Sequence, residues 1–161
     1  TGLNALLTFI HTSKNNPILY TGIEAYPVNQ NELDALNYTE LDALQAHQSV
    51  YQKMHSTQWN KWEAIDQHFK LLKLQEQLQD FNPVKETFDL IYFDAFGPRV
   101  QPELWDLAIF KKLFKALKKE GVFVTYCCKG QVRRDLIQAG FEVEKIPGPP
   151  GKREMLRAFK R

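Results

Sequence analysis

Three carboxylates stand where an α/β protein does its chemistry. Glu24, Glu76 and Asp94 each follow a short apolar or β-rich run. In open α/β sheets, ligands bind at the carboxyl ends of strands, near the switch in strand order. Glu24 follows Ile18-Leu19-Tyr20-Thr21-Gly22-Ile23, and an acid there can accept hydrogen bonds from both hydroxyls of a ribose. Glu76 lies just past Phe69–Leu74, where an acceptor can meet an exocyclic amine. Asp94 ends the most apolar run of the chain and leads into Ala95-Phe96-Gly97-Pro98. Taken singly, each has an ordinary explanation, because acids are common at strand ends and helix caps. A nucleotide-binding fold also expects a strand, a Gly-rich turn and a helix whose N-terminus faces the ligand. Here Thr1-Gly2-Leu3-Asn4 opens directly into a helical pattern, so the glycine signal begins in mid-motif.

Other chemistries find less support. His11, His47, His55 and His68 have neither ligand-like spacing nor a cysteine partner, so no metal site is expected. Cys127 and Cys128 are adjacent and point to opposite faces if extended, which suits free thiols in a reducing cytoplasm. The net charge of +2 hides an asymmetry: residues 111–161 hold 14 Lys+Arg against 5 Asp+Glu, a net of +9, and residues 1–110 a net of −7. A basic half is what a polyanion-binding surface needs. Solvated helix faces account for it equally well. With 43% hydrophobic and 25% charged residues the chain reads as an ordinary globular protein, and no apolar run approaches the roughly 18 residues of a membrane span. No secretory signal is visible.

The elements that must position these residues alternate. Leu3 to Ser13 carries apolar residues at helical spacing and is stopped by Asn15-Asn16-Pro17. Ile18–Glu24 reads as a strand, and Pro27 to about His55 as a polar helical stretch anchored by Leu33, Leu36, Leu41 and Leu44. Trp59–Trp62 reads as irregular or a short helix, and Phe69–Leu74 as a strand. Thr87–Asp94 is almost continuously apolar, the pattern of a strand buried on both faces. Pro102 fits the first turn of a helix whose stripe runs from Leu104 through Leu117 and ends near Gly121. Val122–Tyr126 is a strand, Val132–Ala139 a helix stopped by Gly140, and Phe141–Ile146 a strand. The turn Pro147–Gly151 precedes a last strand at Glu154–Phe159. Alternation of this kind predicts one α/β domain over residues 1–161. Its sheet would be mostly parallel, with an antiparallel hairpin at one edge.

A family resemblance joins the scattered acids. Asp94-Ala95-Phe96-Gly97-Pro98 and Pro102-Glu103-Leu104-Trp105 closely resemble a signature of one methyltransferase family. It is the methyltransferase domain of the bifunctional enzyme that makes 5-methylaminomethyl-2-thiouridine at the tRNA wobble position. The likeness continues through Gly130–Arg134, Ala139–Val143 and Gly151–Leu156. It reaches Ile23-Glu24-Ala25-Tyr26-Pro27, similar to the family's ribose-binding strand end, and Thr1–Asn4, similar to the tail of its Gly-x-Gly-x-Gly-Leu-Asn loop. The resemblance implies a Rossmann-like, class I S-adenosylmethionine-dependent methyltransferase whose first strand and most of whose glycine loop are missing from this chain.

By that resemblance, Gly2 and Leu3 abut the methionine end of S-adenosylmethionine. Glu24 holds the ribose hydroxyls, and Asp94 sits beside the methyl donor and the incoming amine. Where the family has Gly-Asp after its third strand, this chain departs from the pattern with Gln75-Glu76, which leaves Glu76 as the candidate adenine contact. The implied reaction is methylation of the primary amine of 5-aminomethyl-(2-thio)uridine in tRNA, in the cytoplasm. Phe96 is a candidate to stack on the extruded base, or else packs in the core. Arg133, Arg134, Lys152 and Arg153 are candidate phosphate contacts, or else ordinary surface charge. A methyltransferase for another amine or nucleobase, and a non-catalytic RNA-binding domain of the same fold, remain open on sequence.

Overall fold

The computed structural model describes residues 2–12 and 16–161, without the side chains of Thr39 and Asp42. Thr1, Ser13 at the expected end of the first helix, and Asn15 of its stop signal lie outside the described residues. The chain divides into two compact units, Thr1–Leu78 and Gln79–Arg161.

In the first unit, helix α1 (Leu3–His11) places Ala5 and Leu6 in the core, as its spacing requires. Strand β1 (Ile18–Ile23) follows. The polar stretch after Pro27 does not form one helix. It breaks into α2 (Gln30–Asp34), a 3-10 turn at Tyr38–Glu40, α3 (Asp42–Gln45) and α4 (Gln48–Ser56). The start is well marked, because Asn29 and Glu32 form a reciprocal capping box that opens α2 at Gln30, but that helix runs only to Asp34. Trp59 and Trp62 are extended rather than helical. Trp62–Ala64 is β2, antiparallel to β3 (Phe69–Leu74), and Trp59 bridges to Lys73. The sheet order is β1-β3-β2, with β1 and β3 parallel and Ile23 opposite Leu74. Phe69, only 1% exposed, centres the core, with Phe9 edge-on at 5.5 Å and Tyr20 stacked at 5.9 Å.

The second unit is a four-stranded sheet of order β4-β5-β7-β6, built from β4 (Phe88–Phe93), β5 (Leu117–Thr125), β6 (Glu142–Pro147) and β7 (Glu154–Phe159). β4 and β5 are parallel, whereas β7 runs antiparallel between β5 and β6. The expected edge hairpin is therefore β6–β7, with its later strand inserted next to β5. Pro102–Trp105 forms a separate 3-10 turn, and α5 runs from Leu107 to Ala116. The apolar stripe overstates the helix, because Leu117 already begins β5 and pairs with Phe88. Helix α6 (Gly130–Ala139) packs against α5.

β4 is not buried on both faces. Phe93 is 5% exposed, stacked on Phe123 at 5.5 Å and edge-on to Trp105 at 4.9 Å, but Leu90 and Tyr92 are 41% and 45% exposed. Alternate side chains of a strand face opposite ways, and β4 is an edge strand of its sheet. Its apolar run thus overstates the burial of the face carrying Leu90 and Tyr92.

Gly140 ends α6 in the left-handed region at φ 113°, and a Cβ there would lie 2.9 Å from Phe114 Cζ. Strain and overpacking act together at this site. Gly140→Ala is expected to lower stability by about 1–3 kcal/mol, read as a lower urea midpoint at unchanged slope. An unchanged midpoint would show that the α6–β6 turn adapts freely.

Candidate functional site

Parallel pairing brings Glu24 and Glu76 to one rim of the first unit, just beyond the Ile23–Leu74 pair. The Glu24 amide donates to the Leu74 carbonyl (3.0 Å), extending the ladder one step, and Glu24 Oε1 accepts from the Tyr26 amide (2.9 Å). The rest of this exposed carboxylate faces outward. Gln77 Nε2 donates to Tyr26 Oη (3.0 Å), tying together the loops after β1 and β3, while Gln75 N donates to Asn60 Oδ1 (3.2 Å). Glu76, half-buried, lies between those two tethers.

Gly2 caps α1 at φ 78°, and a Cβ on it would lie 3.0 Å from His55 Nε2 and 3.7 Å from Tyr51. The His55 carbonyl in turn accepts from Lys73 Nζ (2.7 Å), one residue before the end of β3, so Gly2 belongs to the same rim. Burial, then the nearby Tyr38, pushes the Tyr51 phenol up to about 12, so it stays protonated at neutral pH. Burial lowers the Lys73 pKa. Leu3 is partly buried against the core. This rim offers a close-approach glycine at a helix start and a pre-oriented carboxylate acceptor at a strand end, groups that could hold the amino-acid and ribose portions of S-adenosylmethionine.

In the second unit, β4 and β5 end side by side at the Phe93–Thr125 pair. Asp94, the next residue, is exposed. Its loop is held from two sides: Tyr126 Oη donates to the Ala95 carbonyl (2.9 Å), and Trp105 Nε1 donates to the Phe96 carbonyl (2.7 Å). Burial, with Cys127 and Asp94 nearby, pushes the Tyr126 phenol above its ordinary pKa. Phe96 is 70% exposed, which removes core packing as its role.

Gly97, Pro98, Arg99, Tyr126, Cys127, Cys128, Lys129 and Lys152 line a cleft of about 430 Å³ at this rim. Lys152 reaches it because β7 runs antiparallel to β5, with Leu156 opposite Thr125, so the turn before β7 returns to the end of β5. Its ammonium sits 4.2 Å from the Tyr126 ring centroid. Arg153 is exposed beside it. Arg133 and Arg134 project from α6, exposed and outside the cleft lining, and Arg134 donates to Gln131 Oε1 (2.8 Å). Arg99, Tyr126 and Lys129 are not singled out by sequence, and Cys128 only as a free thiol. Tyr126 had a signal, as the last residue of an apolar strand run. Both cysteines are free thiols, Cys127 buried and Cys128 half-buried. Among the described residues no cluster of His, Cys, Asp or Glu could hold a metal, and no helix is long and apolar enough to cross a membrane.

Comparisons with known proteins identify the family. The chain is 33% identical, over 98% of its length, to the tRNA 5-methylaminomethyl-2-thiouridine biosynthesis bifunctional protein of Nitrosospira multiformis. The homologue from Paracidovorax citrulli is 30% identical, again over 98% of the chain. The chain spans 26% of the length of each. Its fold matches a crystal structure of MnmC2 from Aquifex aeolicus with a TM-score of 0.66 and 20% identity, covering 86% of this chain and 42% of that one. Residues 40–161 match the profile of one family, and on that match the chain belongs to the S-adenosyl-L-methionine-dependent methyltransferases, with their α/β fold and their cofactor.

Proposed function

We propose that the protein transfers a methyl group from S-adenosylmethionine to the primary amine of wobble 5-aminomethyl-(2-thio)uridine in tRNA, in the cytoplasm, and that residues 1–161 make up a single methyltransferase domain. The observation that carries this reading is Asp94: an exposed carboxylate on a doubly tethered loop, within the Asp94–Pro98 stretch, at the rim of a basic cleft. When bound, the cofactor supplies an electrophilic methyl group at its sulfonium.

The chain's residues then have distinct tasks. Glu24 holds the ribose hydroxyls, Gly2 and Leu3 the methionine end, and Glu76 the adenine amine. Methyl transfer by displacement needs mainly alignment of donor and acceptor. The amine attacks only when neutral, so Asp94 orients it by hydrogen bonding and takes its proton directly or through a water. Phe96, exposed beside Asp94, offers a ring for the extruded base. Lys152 at the cleft, Arg153 next to it in the chain, and Arg133 and Arg134 on α6, contact phosphates.

The direct test is transfer of labelled methyl from S-adenosylmethionine to tRNA carrying the aminomethyl group. Label should enter that tRNA and not a transcript lacking the group. Equal labelling of both would mean a different nucleobase target, and no labelling of either would remove the assignment. A second measurement concerns the phosphate contacts. Lys152→Ala/Arg153→Ala should weaken tRNA binding and make its salt dependence shallower, by somewhat under one log–log unit per lost contact. Unchanged affinity and slope would leave the pair as solvated charge on the β6–β7 hairpin.

A further inference from the structure

The cleft between the loops after β4 and β5 carries more cationic residues than Lys152 alone. Three cationic residues from three separate segments line it: Arg99 from the loop after β4, Lys129 from the loop before α6, and Lys152 from the turn before β7. Among the described residues no acid lines the cleft. Among the described residues none of the three forms an ion pair, whereas Lys118, Lys145, Arg157, Lys160 and Arg161 in the same unit all pair with acids. Like charges gathered around one cleft repel, and an anion relieves that repulsion. Lys129 also caps the ten-residue helix α6, whose first turn carries no acid, so the amides of that turn add to the positive potential. Lys152 rests on the Tyr126 ring at the wall, a weak tether that a stronger anionic partner can displace.

Building on the RNA reading, we propose that this cleft is a phosphodiester-binding site, in which Arg99 and Lys129 grip the RNA backbone next to the acceptor nucleotide and Lys152 swings from Tyr126 to join them. The Arg99 guanidinium supplies a planar fork matched to phosphate oxygens, and the two ammonium groups supply point charges. The cleft is open to the surface, so a chain of linked phosphates and riboses can lie along it. The site would set where the acceptor enters by holding the backbone, not by reading the base.

The probe is a fluorescently labelled anticodon stem-loop RNA without the aminomethyl group, so that binding is read independently of methyl transfer. Arg99→Gln/Lys129→Gln should weaken binding roughly tenfold or more and flatten the log–log salt slope by about 1.4 units, or 0.7 per single-strand contact. Lys111→Ala/Lys119→Ala removes the same charge from exposed positions outside the cleft and should change affinity less than about twofold. Arg99→Lys/Lys129→Arg should restore binding, which excludes misfolding as the cause. Cys128 gives a second readout, since it lines the cleft and the other cysteine, Cys127, is buried. Its alkylation by iodoacetamide should slow when RNA is bound to the native protein and not in the glutamine variant. Equal losses in the cleft and control variants, or no loss in the cleft variant, would overturn the site. If cleft-dependent binding holds while aminomethyl-tRNA is not methylated, the acceptor assignment falls and the phosphate site stands.

Discussion

Asp94→Ala is expected to slow single-turnover methyl transfer by roughly 10²–10⁴-fold, the range for a lost acid–base group, while the dissociation constant for S-adenosylmethionine changes much less. The expectation comes from how the fold presents this carboxylate. Phe93 is locked into the core between Phe123 and Trp105, and the next residue emerges at the rim, exposed. The hydrogen bonds from Tyr126 to Ala95 and from Trp105 to Phe96 hold the following backbone, so the carboxylate sits on a braced loop. Such an acid can line up an amine without paying to order itself. Asp94→Asn separates the two tasks assigned to it: the amide still orients the amine but takes no proton, so its rate should fall between those of the native protein and the alanine variant. Thermal melting is the control, since an exposed side chain should contribute little to stability. A variant that loses cofactor affinity yet turns over normally at saturating cofactor would show that Asp94 serves the donor and not the acceptor.

How far these positions could be read in the sequence depended on what competes with periodicity. β1, β3, β6 and β7 stand where apolar runs bounded by turn residues placed them, because no other local signal opposed the pattern. The stretch after Pro27 went the other way. Its leucines repeat at helical spacing and the Asn29–Glu32 capping box opens a helix at Gln30, but that helix ends at Asp34 and short helices follow. Leu117 continued the stripe of α5 only in sequence; its backbone joins β5, where it is fully buried and its carbonyl accepts from the Lys160 ammonium. That pairing across the unit has no local trace. The same limit applies to the cleft. Asp94 was visible because one acid ended one strand. Arg99, Lys129 and Lys152 lie on loops 23 to 53 residues apart, and only the parallel β4–β5 pair and the antiparallel return of β7 bring them together.

Glu24→Ala is expected to weaken S-adenosylmethionine binding by about 1.5–3 kcal/mol, the range for hydrogen bonds to a charged group, or roughly 10- to 150-fold in dissociation constant. The carboxylate is prepared before any ligand arrives. Its amide closes the last rung of the β1–β3 ladder on Leu74, its Oε1 accepts from the Tyr26 amide, and Tyr26 is held by Gln77 from the loop after β3. An oriented acceptor loses little side-chain freedom on binding, so most of its hydrogen-bond energy should appear as affinity. Calorimetric titration gives the constant, and two further measurements assign it. Glu24→Gln keeps one acceptor oxygen without the charge and should lose only part of the affinity. A cofactor analogue lacking the ribose hydroxyls should bind native and Glu24→Ala protein with nearly equal affinity, because the group that Glu24 recognises is already gone. If the alanine variant binds S-adenosylmethionine as tightly as the native protein, Glu24 is a solvated strand-end acid whose bond to Tyr26 only shapes the loop. If instead it weakens the analogue and the cofactor equally, the carboxylate acts through that loop and not on the ribose.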